Sequence, residues 1–180
     1  NDDNICLPSL VILFVINTIG YADHIAIASL SAIAKQKGHK TFFCSLSESE
    51  LKTEVLNIKP EIVAYSSNVV GFENIVQQHK EAISVHKFIS ILGGPQATFF
   101  PETFAKSGID AYCIGEGEGA FDEFLDCVQE DKPFDDILNL ITVKGRNPVR
   151  SLIANLDTLP ILDRDLVLKN SFLKDIDKKT

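Results

Sequence analysis

Apolar positions along this chain follow two rhythms. Largely unbroken runs at residues 10–16, 40–44, 62–65, 88–92 and 111–114 are separated by stretches 22–37, 47–57, 71–85 and 119–129, where apolar residues recur three and four apart. The runs read as strands buried on both faces and the spaced stretches as amphipathic helices. Gly38 closes the first helix, Ser47 with Glu50 three residues later has the form of a capping box, and a short helix is expected near Pro101. Beyond Pro133 the rhythm changes. Residues 140–144 and 149–153 flank Gly145-Arg146-Asn147-Pro148 as the arms of a hairpin, and residues 155–165, with Leu159-Pro160-Ile161, read as an extended linker.

Strands and helices in strict alternation predict an α/β fold with right-handed crossovers. The expected architecture is a flavodoxin-like (Rossmann-like) doubly wound parallel sheet of five strands in the order 2-1-3-4-5. Residues 1–132 would form this domain, 133–154 a hairpin extension and 155–180 a linker.

Composition narrows the function classes. A net charge of -8 and a pI near 4.9 exclude a basic nucleic-acid surface. No apolar run is long enough to span a bilayer, since even residues 10–16 stop at Asn17. The four cysteines, Cys6, Cys44, Cys113 and Cys127, show neither zinc nor iron–sulfur spacing, and read as scattered thiols of a reducing cytoplasm. The absence of an initiator methionine at Asn1 and the patternless lysine-rich end predict an excised piece of a longer protein.

In a doubly wound sheet the ligand sits outside the carboxyl ends of the strands, so the chemistry is expected on the loops that follow them. These are residues 17–21 with Asn17, Thr18 and Gly20; 66–71 with Ser66, Ser67 and Asn68; 93–98 with Gly93, Gly94, Pro95 and Gln96; and 115–119 with Gly115, Glu116 and Gly117. Paired glycines suit a backbone that must approach a ligand closely or take a positive φ. Two glycine clusters on one rim point to a bound cofactor. Ser67 with Asn68 also fits a turn cap, and Glu118 a carboxylate at a helix N-terminus.

The succession Gly93-Gly94-Pro95-Gln96-Ala97-Thr98-Phe99-Phe100-Pro101-Glu102, then Asp110-Ala111-Tyr112-Cys113-Ile114-Gly115-Glu116-Gly117-Glu118, then Leu156-Asp157-Thr158-Leu159-Pro160, resembles the amino-terminal cobalamin-binding domain of cobalamin-dependent radical S-adenosylmethionine enzymes. The resemblance implies a corrin ring over the carboxyl edge of the sheet, with its nucleotide tail descending between the strands. It implies that Ser66 and Ser67 turn hydroxyls toward the tail, that Gly93 and Gly94 leave it room, and that residues 115–117 meet the corrin amides. It implies further that a [4Fe-4S] cluster and S-adenosylmethionine belong to a C-terminal catalytic domain, the chain's own partner in the full-length protein. By itself the chain is then a corrinoid-binding module, with methyl transfer or related radical chemistry carried out by the whole enzyme.

Two departures sharpen this expectation. Methionine-synthase-like cobalamin domains carry Asp-x-His-x-x-Gly after the first strand; around His24 this chain has Ala22 and Ile27 in place of the Asp and Gly, so no histidine ligand to cobalt is expected. The cysteine spacing also cannot supply the CxxxCxxC that holds a [4Fe-4S] cluster. Two other classes stay open: an FMN-binding flavodoxin-like protein, for which Asn17-Thr18-Ile19-Gly20 is a faint phosphate loop, and a degenerate cobalamin-type domain acting as a scaffold.

Overall fold

The structure, a computed structural model, describes residues 7–17 and 24–168. Thr18, Gly20, Ala22 and Cys6 lie outside them, as does the side chain of His24. The core is a seven-stranded sheet in the order β2-β1-β3-β4-β5-β6-β7. Five strands run parallel: β1 (Val11–Ile16), β2 (Lys40–Ser45), β3 (Ile62–Ser66), β4 (Ile89–Gly93) and β5 (Ala111–Cys113). This is the expected Rossmann-like class with a parallel-dominated sheet.

The expectation of five strands is corrected to seven. β6 (Leu140–Thr142) pairs antiparallel with β5, and β7 (Gly145–Arg146) with β6, so the hairpin extends the sheet instead of standing apart from it. Its second arm is shorter and earlier than residues 149–153, because the chain turns at Val143-Lys144 rather than at Gly145-Arg146-Asn147-Pro148.

Every second residue of β1 faces a different layer. Ile12, Phe14 and Ile16 pack with α1 (His24–Gln36) and α6 (Glu118–Gln129), whereas Leu13 and Val15 join the layer of α2 (Leu51–Ile58) and α3 (Phe72–Ile83). Apolar side chains are needed on both faces, which is why the strand shows no alternation. Between β4 and β5 lie α4 (Pro95–Phe99), a 3-10 turn (Pro101–Thr103) and α5 (Phe104–Ser107). Pro95 occupies the first turn of α4, where its missing N–H costs nothing.

The capping box does not form. The Ser47 hydroxyl bonds that of Ser45 at 2.8 Å, and the Leu51 N–H at the start of α2 donates instead to Gln78 Oε1 of α3 at 2.8 Å. The cap is therefore tertiary. Residues 155–165, expected as an extended linker, lie against the domain. A 3-10 turn (Leu156–Thr158) leads into α7 (Arg164–Leu168), Leu162 and Leu166 pack on the α1 and α6 side of the core, and Asp163 accepts from Ser31 Oγ and pairs with Lys35, each at 2.6 Å.

Buried histidines set a pH dependence. His79, 2% exposed, bonds the Tyr65 hydroxyl through Nδ1 (2.9 Å) and the Gly108 carbonyl through Nε2 (3.1 Å). A carbonyl only accepts, so Nε2 carries the proton and Nδ1 accepts from Tyr65. Burial holds His79 below its ordinary value of 6.5 despite the Gly108 bond, and burial lowers His39 in the same way. The unfolded chain binds these protons first, so stability is complete above the ordinary value. It falls as the pH drops below it, until the folded-state value is passed. We expect the urea midpoint to decline as the pH drops from neutral through the ordinary histidine value, and His79→Gln to remove part of that slope.

Candidate functional site

A cavity of about 470 Å³ opens at the carboxyl ends of β3, β4 and β5, on the face covered by α1 and α6. The register explains its shape. Phe14, Ala64 and Ile91 form one cross-strand row on its floor, and Ser66 with Gly93 forms the next row toward the mouth. Small residues at Ala64, Ser66 and Gly93 leave the space that larger side chains would fill. Ile27 and Leu30 of α1 and Phe121 of α6 close the opposite wall, and the Phe14 and Phe121 rings lie 5.7 Å apart.

The mouth is built by glycine turns. Gly94 has φ 88° and ψ −171°, a conformation essentially restricted to glycine, and a Cβ there would lie 2.9 Å from the Ser67 carbonyl oxygen. Gly93, one residue earlier, has nothing within 4 Å of where a Cβ would stand. Gly115, at φ 75°, donates its N–H to Thr98 Oγ1 at 3.1 Å, which ties the loop after β5 to α4. Gly117 precedes α6 and lines the cavity beside Cys113 and Leu30.

One residue unremarked in the sequence organises this rim. Asn139 is 1% exposed at φ 74°. Its Nδ2 donates to the carbonyls of Ile114 (2.6 Å) and Glu116 (3.4 Å), while its Oδ1 accepts from the backbone N–H and Nε of Arg150 (3.1 and 3.0 Å). All four bonding positions of the amide are used. The strap at residues 148–153 is thereby held against the loop after β5; the Ile153 N–H donates to Glu116 Oε2 at 3.1 Å, and Leu152 hangs across the mouth, 76% exposed. The signal available in sequence was only a lone Asn between Leu138 and Leu140.

Of the sequence candidates, Ser66, Gly93, Gly94, Gly115, Glu116 and Gly117 line this cavity. Ser67, Asn68, Pro95, Gln96 and Asn17 are not among its walls. Ser67 turns its hydroxyl to the Asn68 carbonyl (2.7 Å), and Asn68 Oδ1 caps the Gly71 N–H (3.0 Å), so this pair forms a turn cap. Gln96, 3% exposed, points to Thr103 (3.3 Å), and Asn17 accepts from Asn74 Nδ2 (2.6 Å). Glu118, in the first turn of α6, accepts from Ser29 at 3.1 Å. The continuous pairing of β3 with β4 from Ile62↔Ile89 to Ser66↔Gly93 leaves no passage between the strands, so the space lies between the sheet and its helices.

Burial pushes the thiol of Cys113, on the cavity wall, up to about 12, outweighing the opposing effect of Arg150; Cys44 is raised to about 12 in the same way. Both stay protonated at neutral pH and are poor metal ligands. Among the described residues there is no cluster of His, Cys, Asp or Glu able to hold a metal ion, and His39, His79 and His86 bond elsewhere than in the cavity.

An open α/β sheet with a deep cavity at its carboxyl edge and glycine turns at the mouth defines a ligand-binding domain of the doubly wound class. Residues 12–125 match the model of the B12 binding domain, and the chain belongs to that family. Over 162 residues it is 27% identical to an uncharacterized methyltransferase, PH0819, of Pyrococcus horikoshii, the match covering 84% of this chain and 35% of that protein. The chain thus spans about a third of the length of that relative. In fold it is similar to the radical S-adenosylmethionine methyltransferase TsrM of Kitasatospora setae, solved with cobalamin and a [4Fe-4S] cluster bound (TM-score 0.63, 20% identity, 85% of this chain and 31% of that one). It is also similar to a cobalamin-binding protein of Desulfitobacterium hafniense (TM-score 0.50, 15% identity, 67% and 59%). Among the described residues no helix is long and apolar enough to cross a membrane.

Proposed function

We propose that this chain binds a corrinoid with the nucleotide tail in the cavity beneath β3 and β4 and the corrin ring over the carboxyl edge, and that no protein imidazole coordinates cobalt. The observation that carries this is the open space beside Gly93, walled by apolar side chains and bordered by a Ser66 hydroxyl that makes no hydrogen bond within the described protein. The cavity is deep enough to bury a flat heterocycle, and Ser66 can serve the polar part of the tail. The exposed Gly115 and Glu116 and the half-buried Gly117 stand at the mouth, and the Gly115 carbonyl and the N–H groups of Glu116 and Gly117, not engaged by Thr98, Asn139 or Phe121, suit the corrin amides. Bound there, the corrinoid supplies a carrier for a methyl group or a one-electron redox partner.

In the full-length protein this module serves a C-terminal radical S-adenosylmethionine domain, which supplies the [4Fe-4S] cluster and performs methyl transfer. Similarity to the methyltransferases named above supports that assignment. Incubation with hydroxocobalamin followed by gel filtration is expected to yield co-eluting corrinoid. Co-eluting flavin instead would support an FMN protein, and neither ligand a scaffold. Reduced to Co(II), the complex is expected to give an electron paramagnetic resonance spectrum without axial nitrogen splitting, unchanged in His24→Ala. Splitting that vanishes in that variant would reassign His24 as the lower ligand.

A further inference from the structure

We infer that the cavity selects corrinoids by the polarity of their lower base, favouring a benzimidazole over a purine. This rests on the placement of the nucleotide tail proposed above. Among the residues lining the cavity, polar side chains are confined to Tyr65, Ser66, Glu116, Glu118 and the weakly bonding thiol of Cys113, which stands beside Gly93 near the mouth. The Tyr65 hydroxyl is spent on His79 in the opposite layer. Glu116 is exposed at the mouth and bonded to the strap, Glu118 is bonded to Ser29, and Ser66 stands in the row nearest the mouth. Deeper down, Phe14, Ile27, Ala64, Ile91 and Phe121 offer no donor or acceptor, and the strand backbone between them is committed to the ladders.

A dimethylbenzimidazole presents two methyl groups and a benzene edge to such walls. An adenine presents an amino group and further ring nitrogens at the same depth, stripped of water and with nothing to bond. Each polar group buried without a partner weakens binding, whereas apolar edges lose nothing on burial.

The test titrates the 180-residue chain with four corrinoids under one condition: cobalamin, the adeninyl cobamide, the 2-methyladeninyl cobamide and cobinamide, which lacks the nucleotide tail. Both adenine forms are expected to bind at least about tenfold more weakly than cobalamin, equivalent to about 1.4 kcal/mol, and cobinamide more weakly than cobalamin as well. Equal affinity for cobalamin and the adeninyl form, with cobinamide weak, overturns base selection while leaving the tail in the cavity. Full recovery of affinity by the 2-methyl group also overturns it, since space filling and not polarity would then decide. Cobinamide binding as tightly as cobalamin takes the tail out of the cavity, and both statements fall.

Discussion

Gly93→Val is expected to fold normally and to lose corrinoid binding. The position lies at the end of β4, where a β-branched residue suits the strand, and the space around its missing Cβ is empty. That space is the cavity itself, between the Ser66 row and the helices. The added isopropyl group takes up room proposed for the tail, and forcing both into one volume costs about 1–3 kcal/mol, roughly a five- to hundred-and-fifty-fold loss of affinity. Thermal unfolding unchanged from wild type, together with weakened cobalamin retention by equilibrium dialysis, is the expected pair of results. Undiminished retention would place the tail elsewhere.

Gly94→Ala, one residue on, is expected to do the opposite and damage the fold. From the resemblance alone, a side chain at Gly94 would fill the tail channel and spare the structure; the geometry corrects this. The Cβ would press on the Ser67 carbonyl at 2.9 Å and on the Ser67 nitrogen and Ser66 Oγ at 3.2 Å. These atoms cannot easily move, because the Ser67 N–H donates to the Gly93 carbonyl (3.2 Å) and the Ser67 carbonyl accepts from Gln96 (2.9 Å). The backbone conformation alone costs a non-glycine residue about 1–3 kcal/mol, and the contact adds to it. An unfolding free energy from urea titration lowered by at least that much checks the expectation; a stability equal to wild type would show that the turn can rearrange.

The contrast between these neighbours shows what the sequence could and could not disclose. Two glycines in a row marked a turn that needed them, and the unbroken apolar runs marked strands buried on both faces. Which glycine borders open space and which is locked into the chain's own turn depends on the direction of each Cβ, and that is set by the φ of Gly94 and by the parallel register of β3 with β4. Likewise Ser47 and Glu50 had the spacing of a cap, but the donor at Leu51 is satisfied by Gln78 of another helix. Asn139 was invisible because its role requires the loop after β5, the hairpin and Arg150 to meet, a coincidence no local pattern records.

The pairing of β6 with β5 bears on how the module can be moved between proteins. A cut at residue 132 would leave β5 as an open sheet border, with its outer peptide groups unpaired and Tyr112, wholly buried in the intact chain, beside the gap left by Ile141. Such borders recruit strands from neighbouring molecules and invite aggregation. The smallest portable unit is therefore expected to run past Arg150, because the segment that covers β5 continues into the Asn139–Arg150 contact at the mouth of the cavity.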